Sequence, residues 1–176
     1  YQGCPRGGAQ TAATPKLATS RGGVSRVAAR TKMLDLFSGT GSVGRVYQSM
    51  GYDVTTFDWD PRSNADHLDD VLEWDYKSCF TPGQFEVVVV GLPCTEFSQA
   101  LTTRPRNLEL ADNIALRTFE ILEYLNPPTW WLENPRGGRL KKRPYMRDRH
   151  WVDVDYCQYS DWGYQKPTRI WGSPNI

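Results

Sequence analysis

Four consecutive valines, Val87-Val88-Val89-Val90, run straight into Gly91-Leu92-Pro93-Cys94 and constrain the fold more than any other stretch. A β-branched run this short cannot make a helix and is apolar toward both sides. It reads as a central strand covered on both faces, as in a parallel sheet. Gly91 and Pro93 end it. Ligands of open α/β sheets bind outside the carboxyl ends of the strands, so Cys94 stands where a reactive group belongs. A free cysteine is also among the most buried residue types, and the strand alone leaves structural and nucleophilic roles open.

The rest of the chain supplies a setting for that strand. Its 176 residues hold one ordinary domain with enough apolar content for a core. Residues 1–32 are rich in Gly, Ala, Thr, Ser and Arg, contain no acid before Asp35, and read as a disordered basic tail. The folded catalytic domain is expected over residues 33–176. Cys4, Cys79, Cys94 and Cys157 show neither paired spacing nor the density of a disulfide scaffold, so no metal site is expected and a reducing compartment fits. No secretory signal or bilayer-length apolar run is present, which excludes a membrane role.

Met33-Leu34-Asp35-Leu36-Phe37 reads as a strand leading into Ser38-Gly39-Thr40-Gly41-Ser42-Val43-Gly44 and a helix to about Met50. Strand, glycine-rich turn and helix make the first half of a nucleotide-binding βαβ unit. The next strand, residues 53–57, ends in Asp58-Trp59-Asp60, with an acid placed to accept ribose hydroxyls. Asp66, Asp69, Asp70, Glu73 and Asp75 follow, and Asp70 is the third acid at a strand end. This acidity argues against a polyphosphate and for a cofactor bearing positive charge.

Beyond the cysteine, Leu108, Ala111, Ala115, Phe119, Leu122 and Leu125 recur at helical spacing and form a core face. Asn126-Pro127-Pro128 stops that helix; the tripeptide hints at amino-group methylation, but proline at a helix end has a sufficient structural reason. A fifth strand, Thr129-Trp130-Trp131-Leu132, delivers Glu133-Asn134-Pro135 to the same end of the sheet. Arg136, Arg139, Lys141, Lys142, Arg143, Arg147 and Arg149 then form the densest basic run, which suits a polyanionic substrate. Two short strands follow, around residues 151–157 and 169–171, joined through Asp161-Trp162-Gly163-Tyr164.

The order of these motifs resembles the DNA cytosine-5 methyltransferases. Asp35-Leu36-Phe37-Ser38-Gly39-Thr40-Gly41 is similar to that family's first S-adenosylmethionine motif, Gly91-Leu92-Pro93-Cys94-Thr95-Glu96-Phe97-Ser98 to its proline-cysteine loop, and Glu133-Asn134-Pro135 to its glutamate-asparagine motif. Gln165-Lys166-Pro167-Thr168-Arg169 resembles its Gln-x-Arg-x-Arg motif. Thr95, Pro135 and Pro167 depart from the family's usual Gln, Val and Arg.

The resemblance implies a three-layer, Rossmann-like α/β methyltransferase fold with a mostly parallel sheet and an antiparallel C-terminal edge. It implies S-adenosyl-L-methionine as cofactor, with Asp58 on the ribose, Trp59 against the adenine and Asp70 facing its amino group. Phe37, Ser38, Gly39, Thr40, Gly41 and Pro93 would complete that pocket. Cys94 is then the nucleophile, Glu133 its acid partner and Arg169 the group that holds the pyrimidine. Ser98, Asn134, Arg136, Arg139 and Gln165 would contact the substrate. DNA is the implied partner, with RNA and a catalytically silent binding module as alternatives. The family's target-recognition domain is not found in the chain, so a partner chain that supplies recognition is a further expectation. A nuclear location is implied in a eukaryote and a cytoplasmic one otherwise.

Overall fold

The computed structural model describes residues 30–159 and 165–174. The basic tail expected over residues 1–32 lies almost wholly outside them, as does the Asp161-Trp162-Gly163-Tyr164 connection. Among the described residues, seven strands form one sheet in the order β3-β2-β1-β4-β5-β7-β6. β1 (Lys32–Leu36), β2 (Asp53–Asp58), β3 (His67–Leu68), β4 (Val87–Val90) and β5 (Thr129–Pro135) are parallel neighbours. β7 (Pro167–Gly172) inserts antiparallel between β5 and β6 (Trp151–Asp155), giving the expected antiparallel edge.

Alternation along the strands explains the layers. Val88 and Val90 join Leu34, Leu36 and Leu132 in the larger core, packed with Ala111, Ala115 and Phe119 of α3 (Leu108–Leu125). Val87 and Val89 point the other way with Met33, against Val43 and Tyr47 of α1 (Ser42–Ser49) and its flank. All four valines are 6% exposed or less, so each contributes roughly 1.5–3 kcal/mol of burial. The strand is buried on both faces because helices cover both, as its composition predicts.

Local signals set the helix ends. Asn107 caps α3, its side-chain oxygen accepting from the Leu110 amide at 3.0 Å, and Asn126 ends it in the left-handed region at φ 46° ahead of two prolines. α1 has no side-chain cap of its own. Its first turn is tied instead to β1, where Asp35 Oδ2 accepts from the Gly44 amide at 3.0 Å. A Cβ on Gly44 would lie 3.3 Å from that carboxylate and 3.3 Å from Val54 Cγ1, so the helix can approach the sheet this closely only at glycine. The chain leaves β1 toward β2 and leaves β4 toward β5 on the other side, which opens a crevice at the carboxyl ends of β1 and β4. No helix among the described residues is long and apolar enough to cross a membrane.

Candidate active site

The crevice is built from strand ends and the turns they enter. Phe37, just past β1, takes a left-handed backbone at φ 61°, a conformation that costs a non-glycine residue energy and clusters at functional sites. The following glycine turn is stitched to β2: the Gly39 amide donates to Asp58 Oδ2 at 2.8 Å and the Asp60 amide to Asp58 Oδ1 at 2.9 Å. Asp58 is thereby buried and fixed at the mouth of a cavity of about 650 Å³ that also touches Phe37, Trp59, Cys94 and Glu133. A neighbouring cavity of about 520 Å³ shares Phe37, Trp59 and Pro93 with it and extends to Asp70, Val71 and Ile114. The two form one continuous crevice with an apolar slot at one end and a thiol at the other. Thr40 lines it as expected, whereas Ser38 and Gly41 serve the turn itself, the Gly41 amide donating to the Ser38 carbonyl at 2.8 Å.

Acids dominate the lining. Asp58, Asp60, Asp70, Glu96 and Glu133 all face the crevice, and two of its cations are already engaged. Arg62 forks onto Asp60, and Arg104 onto Glu96. A polyphosphate would be repelled here. Trp59 is 68% exposed at the rim and borders both cavities.

At the thiol end, Cys94 is half-buried in a turn closed by the Phe97 amide on the Cys94 carbonyl at 3.1 Å. Burial pushes its thiol pKa up, Glu133 pushes it further, and Lys166 pulls the other way. Asn134 is fully buried, and its side-chain amide donates to the Leu92 carbonyl at 3.0 Å, fastening the cysteine loop to β5. Glu133 Oε1 is buried without a hydrogen bond among the described residues, with Lys166 Nζ 3.4 Å away.

Of the three residues expected to act together, the structure gathers Cys94 and Glu133 on one cavity and places Arg169 elsewhere. Arg169 is paired in register with Asn134, and its guanidinium forks onto Asp153 at 2.7 and 2.9 Å while stacking 3.5 Å above the Trp151 ring. The cation beside Glu133 is Lys166. No motif pattern singles Lys166 out; strand parity does, and parity requires the β5–β7 register. Gln165 is exposed next to it.

The basic run divides in two. Arg143 is turned inward onto Asp112 of α3 together with Tyr145, and Arg149 stacks 3.5 Å above Phe119. Arg139 and Lys142 face outward and, with Arg106 and Gln99, border a cavity of about 360 Å³. The Ser98 carbonyl accepts from Arg106 at 2.7 Å, and the Arg139 amide donates to the Phe97 carbonyl at 2.8 Å, so this basic hollow is anchored directly on the cysteine loop. Arg136 lies nearer β7, its amide on the Pro167 carbonyl and its guanidinium 4.0 Å from Asp155.

No family model matches the chain. A curated relative does: the "Probable DNA (cytosine-5)-methyltransferase" of Frog virus 3 (isolate Goorha) is 38% identical over 153 residues, 80% of this chain and 69% of that protein. Among solved structures, a "putative DNA modification methyltransferase" encoded within an E. coli prophage superposes with a TM-score of 0.57 at 17% identity, over 81% of this chain and 46% of its own. The S. pombe Dnmt2 methyltransferase superposes with a TM-score of 0.52 at 16% identity, over 81% of this chain and 50% of its own. The chain therefore spans about half the length of these two solved proteins, and they share its fold. With 38% identity across most of its length to the viral protein, the chain belongs to the DNA (cytosine-5)-methyltransferase family.

Proposed function

We propose that the chain transfers a methyl group from S-adenosylmethionine to C5 of cytosine in DNA through a covalent Cys94 adduct. The observation that carries this reading is that Cys94 and Glu133 border one cavity with Asp58 and Trp59, at the carboxyl ends of neighbouring strands. In this reading Asp58 takes the ribose hydroxyls, Trp59 and the Pro93 side of the slot take the adenine, and Asp70 its amino group. The acidic lining suits a sulfonium and an ammonium. When bound, S-adenosylmethionine supplies the electrophilic methyl that cytosine C5 accepts.

The chain's own groups make C5 able to accept it. The Cys94 thiolate adds to C6, forming a carbon–sulfur bond and moving the ring's π pair to C5. Glu133, as the acid, gives a proton to N3 where negative charge would otherwise collect. A base then takes the C5 proton, N3 returns its proton to Glu133, the C5–C6 double bond re-forms and the carbon–sulfur bond breaks, returning Cys94 to its thiolate. C6 is unreachable inside a stacked duplex, so the base must be swung out at a cost of a few kcal/mol. In this reading Arg139, Lys142 and Arg106, which border the basic hollow beside the cysteine loop, hold the backbone phosphates while it is out.

Trapping on 5-fluorocytosine tests the reading, because fluorine at C5 cannot leave as a proton and the adduct persists. A denaturing gel of the chain with S-adenosylmethionine and a fluorinated DNA duplex is expected to show a covalent band that Cys94→Ala abolishes. A band on fluorinated RNA alone moves the substrate to RNA. No band on either polymer overturns the proposal.

A further inference from the structure

We propose that Lys166 is the positioning residue of this active site, paired with Glu133 where that side chain borders the Cys94 cavity. The inference deepens the methyltransferase reading and rests on it for the role of Glu133. Its geometric basis is independent of that reading.

Three observations carry it. Register decides the first. In the antiparallel β5–β7 pair Glu133 stands opposite Ile170 and Asn134 opposite Arg169. Side chains alternate along a strand, so Ile170, Thr168 and Lys166 share the face of Glu133 while Arg169 takes the other. The second is occupancy. The Arg169 guanidinium is spent on Asp153 and on the Trp151 ring, whereas Lys166 Nζ lies 3.4 Å from Glu133 Oε1, a buried oxygen with no hydrogen bond among the described residues. The third is anchorage. Pro167 restricts Lys166 to extended backbone. The buried Thr168 hydroxyl donates to the Lys166 carbonyl at 3.1 Å, and the Arg136 amide donates to the Pro167 carbonyl at 3.1 Å. The root of the lysine is thus fixed, and its stem leans along the Tyr156 ring with Nζ 5.3 Å from the ring centre.

Among the described residues, the charged and titratable groups around the thiol are few. Glu133 comes from β5, Lys166 from the entry to β7, and Tyr156 from the turn after β6; across the cavity stand Asp58, Asp60 and Arg62, the last two paired with each other. Burial and then Glu133 push the thiol's pKa up, and a backbone hydrogen bond and then Lys166 pull against them. Where Pro167 stands in place of an arginine, the neighbouring lysine provides the charge, from the opposite strand face to Arg169.

The test is the pH dependence of Cys94 alkylation by iodoacetamide, followed by mass spectrometry of its peptide. Lys166 stands 3.4 Å from Glu133, and its removal leaves that side chain's charge uncompensated beside the thiol, so K166M is expected to displace the profile upward and slow alkylation at neutral pH by about twofold or more. K166R restores it. R169M leaves the profile in place. A K166M profile that overlays the wild type, or a shift produced by R169M in place of K166M, overturns the proposal. Trapping on 5-fluorocytosine is the second arm: K166M is expected to form adduct at least about twofold more slowly at neutral pH, with the gap closing as pH rises. If wild type traps neither polymer, the methyltransferase reading fails, while the alkylation profiles still decide whether Lys166 governs the thiol.

Discussion

Asp35 lies beneath α1, where burial pushes its carboxyl from 3.8 up to about 6 against the pull of the Gly44 amide, with Asp58 adding to the rise. Between those values the folded carboxyl keeps a proton that the unfolded one releases. Stability from this group is therefore full below about pH 4 and is lost as pH rises through about 6. A displacement of about two units corresponds to on the order of 3 kcal/mol. Asp35→Asn keeps an oxygen for the Gly44 amide and removes the titration, so its stability relative to wild type is expected to climb by about that amount from pH 4 to pH 7 in urea denaturation. A constant difference across that range rules the account out. Cys94 behaves in the same sense: its raised pKa leaves the thiol mostly protonated at neutral pH, and single-turnover methyl transfer is expected to quicken as pH rises from 7 to 9. A flat profile means that thiol ionisation does not limit the adduct step.

At the scale of elements, the closeness of β1 and β4 is what creates a single crevice. A Cβ on Gly91 would sit 3.1 Å from the Phe37 carbonyl oxygen, which is backbone and cannot swing away. Gly91→Ala is expected to cost about 1–3 kcal/mol of stability and to weaken S-adenosylmethionine binding by calorimetry, because the two strand ends must part. Unchanged binding and stability would show that the ends yield freely. The loop beyond Cys94 has its own fastening, with Glu96 accepting from the Asn107 amide at 2.7 Å and holding Arg104. Glu96→Gln is expected to speed amide exchange across residues 98–107 while the core strands keep their protection. Most of these elements were legible beforehand. A valine run, glycine turn and proline stop are local signals, and they place β1, β2, β4 and β5, with Asp58 and Glu133 toward the ends of β2 and β5. The face on which a motif residue emerges is not local: the late motif predicts Arg169 beside Glu133, and only its pairing with Asn134 shows that it points to Asp153. The long basic run was likewise readable as charge but not as direction, since Arg143 and Arg149 turn inward only because α3 offers Asp112 and Phe119.

For the whole molecule, net charge of +1 conceals a division between an acidic crevice and a basic hollow on either side of the cysteine loop. A cationic cofactor and an anionic polymer can approach the same thiol from separate directions. Each phosphate contact contributes a slope of about 0.9 in the logarithm of duplex affinity against that of salt. The double variant Arg139→Gln, Lys142→Gln is expected to flatten the slope by about 1 to 2 while leaving S-adenosylmethionine affinity unchanged. An unaltered slope would place the polymer on another surface. The reversal of β7 also makes the site depend on the far edge of the sheet. Cys94 and Glu133 come from the ends of parallel strands, but the ammonium that faces Glu133 is carried at the entry to the strand inserted between β5 and β6. Whatever loosens β7 from β5 therefore withdraws the cation and leaves the thiol with its acid neighbour: the edge of the sheet holds the counterweight of its centre.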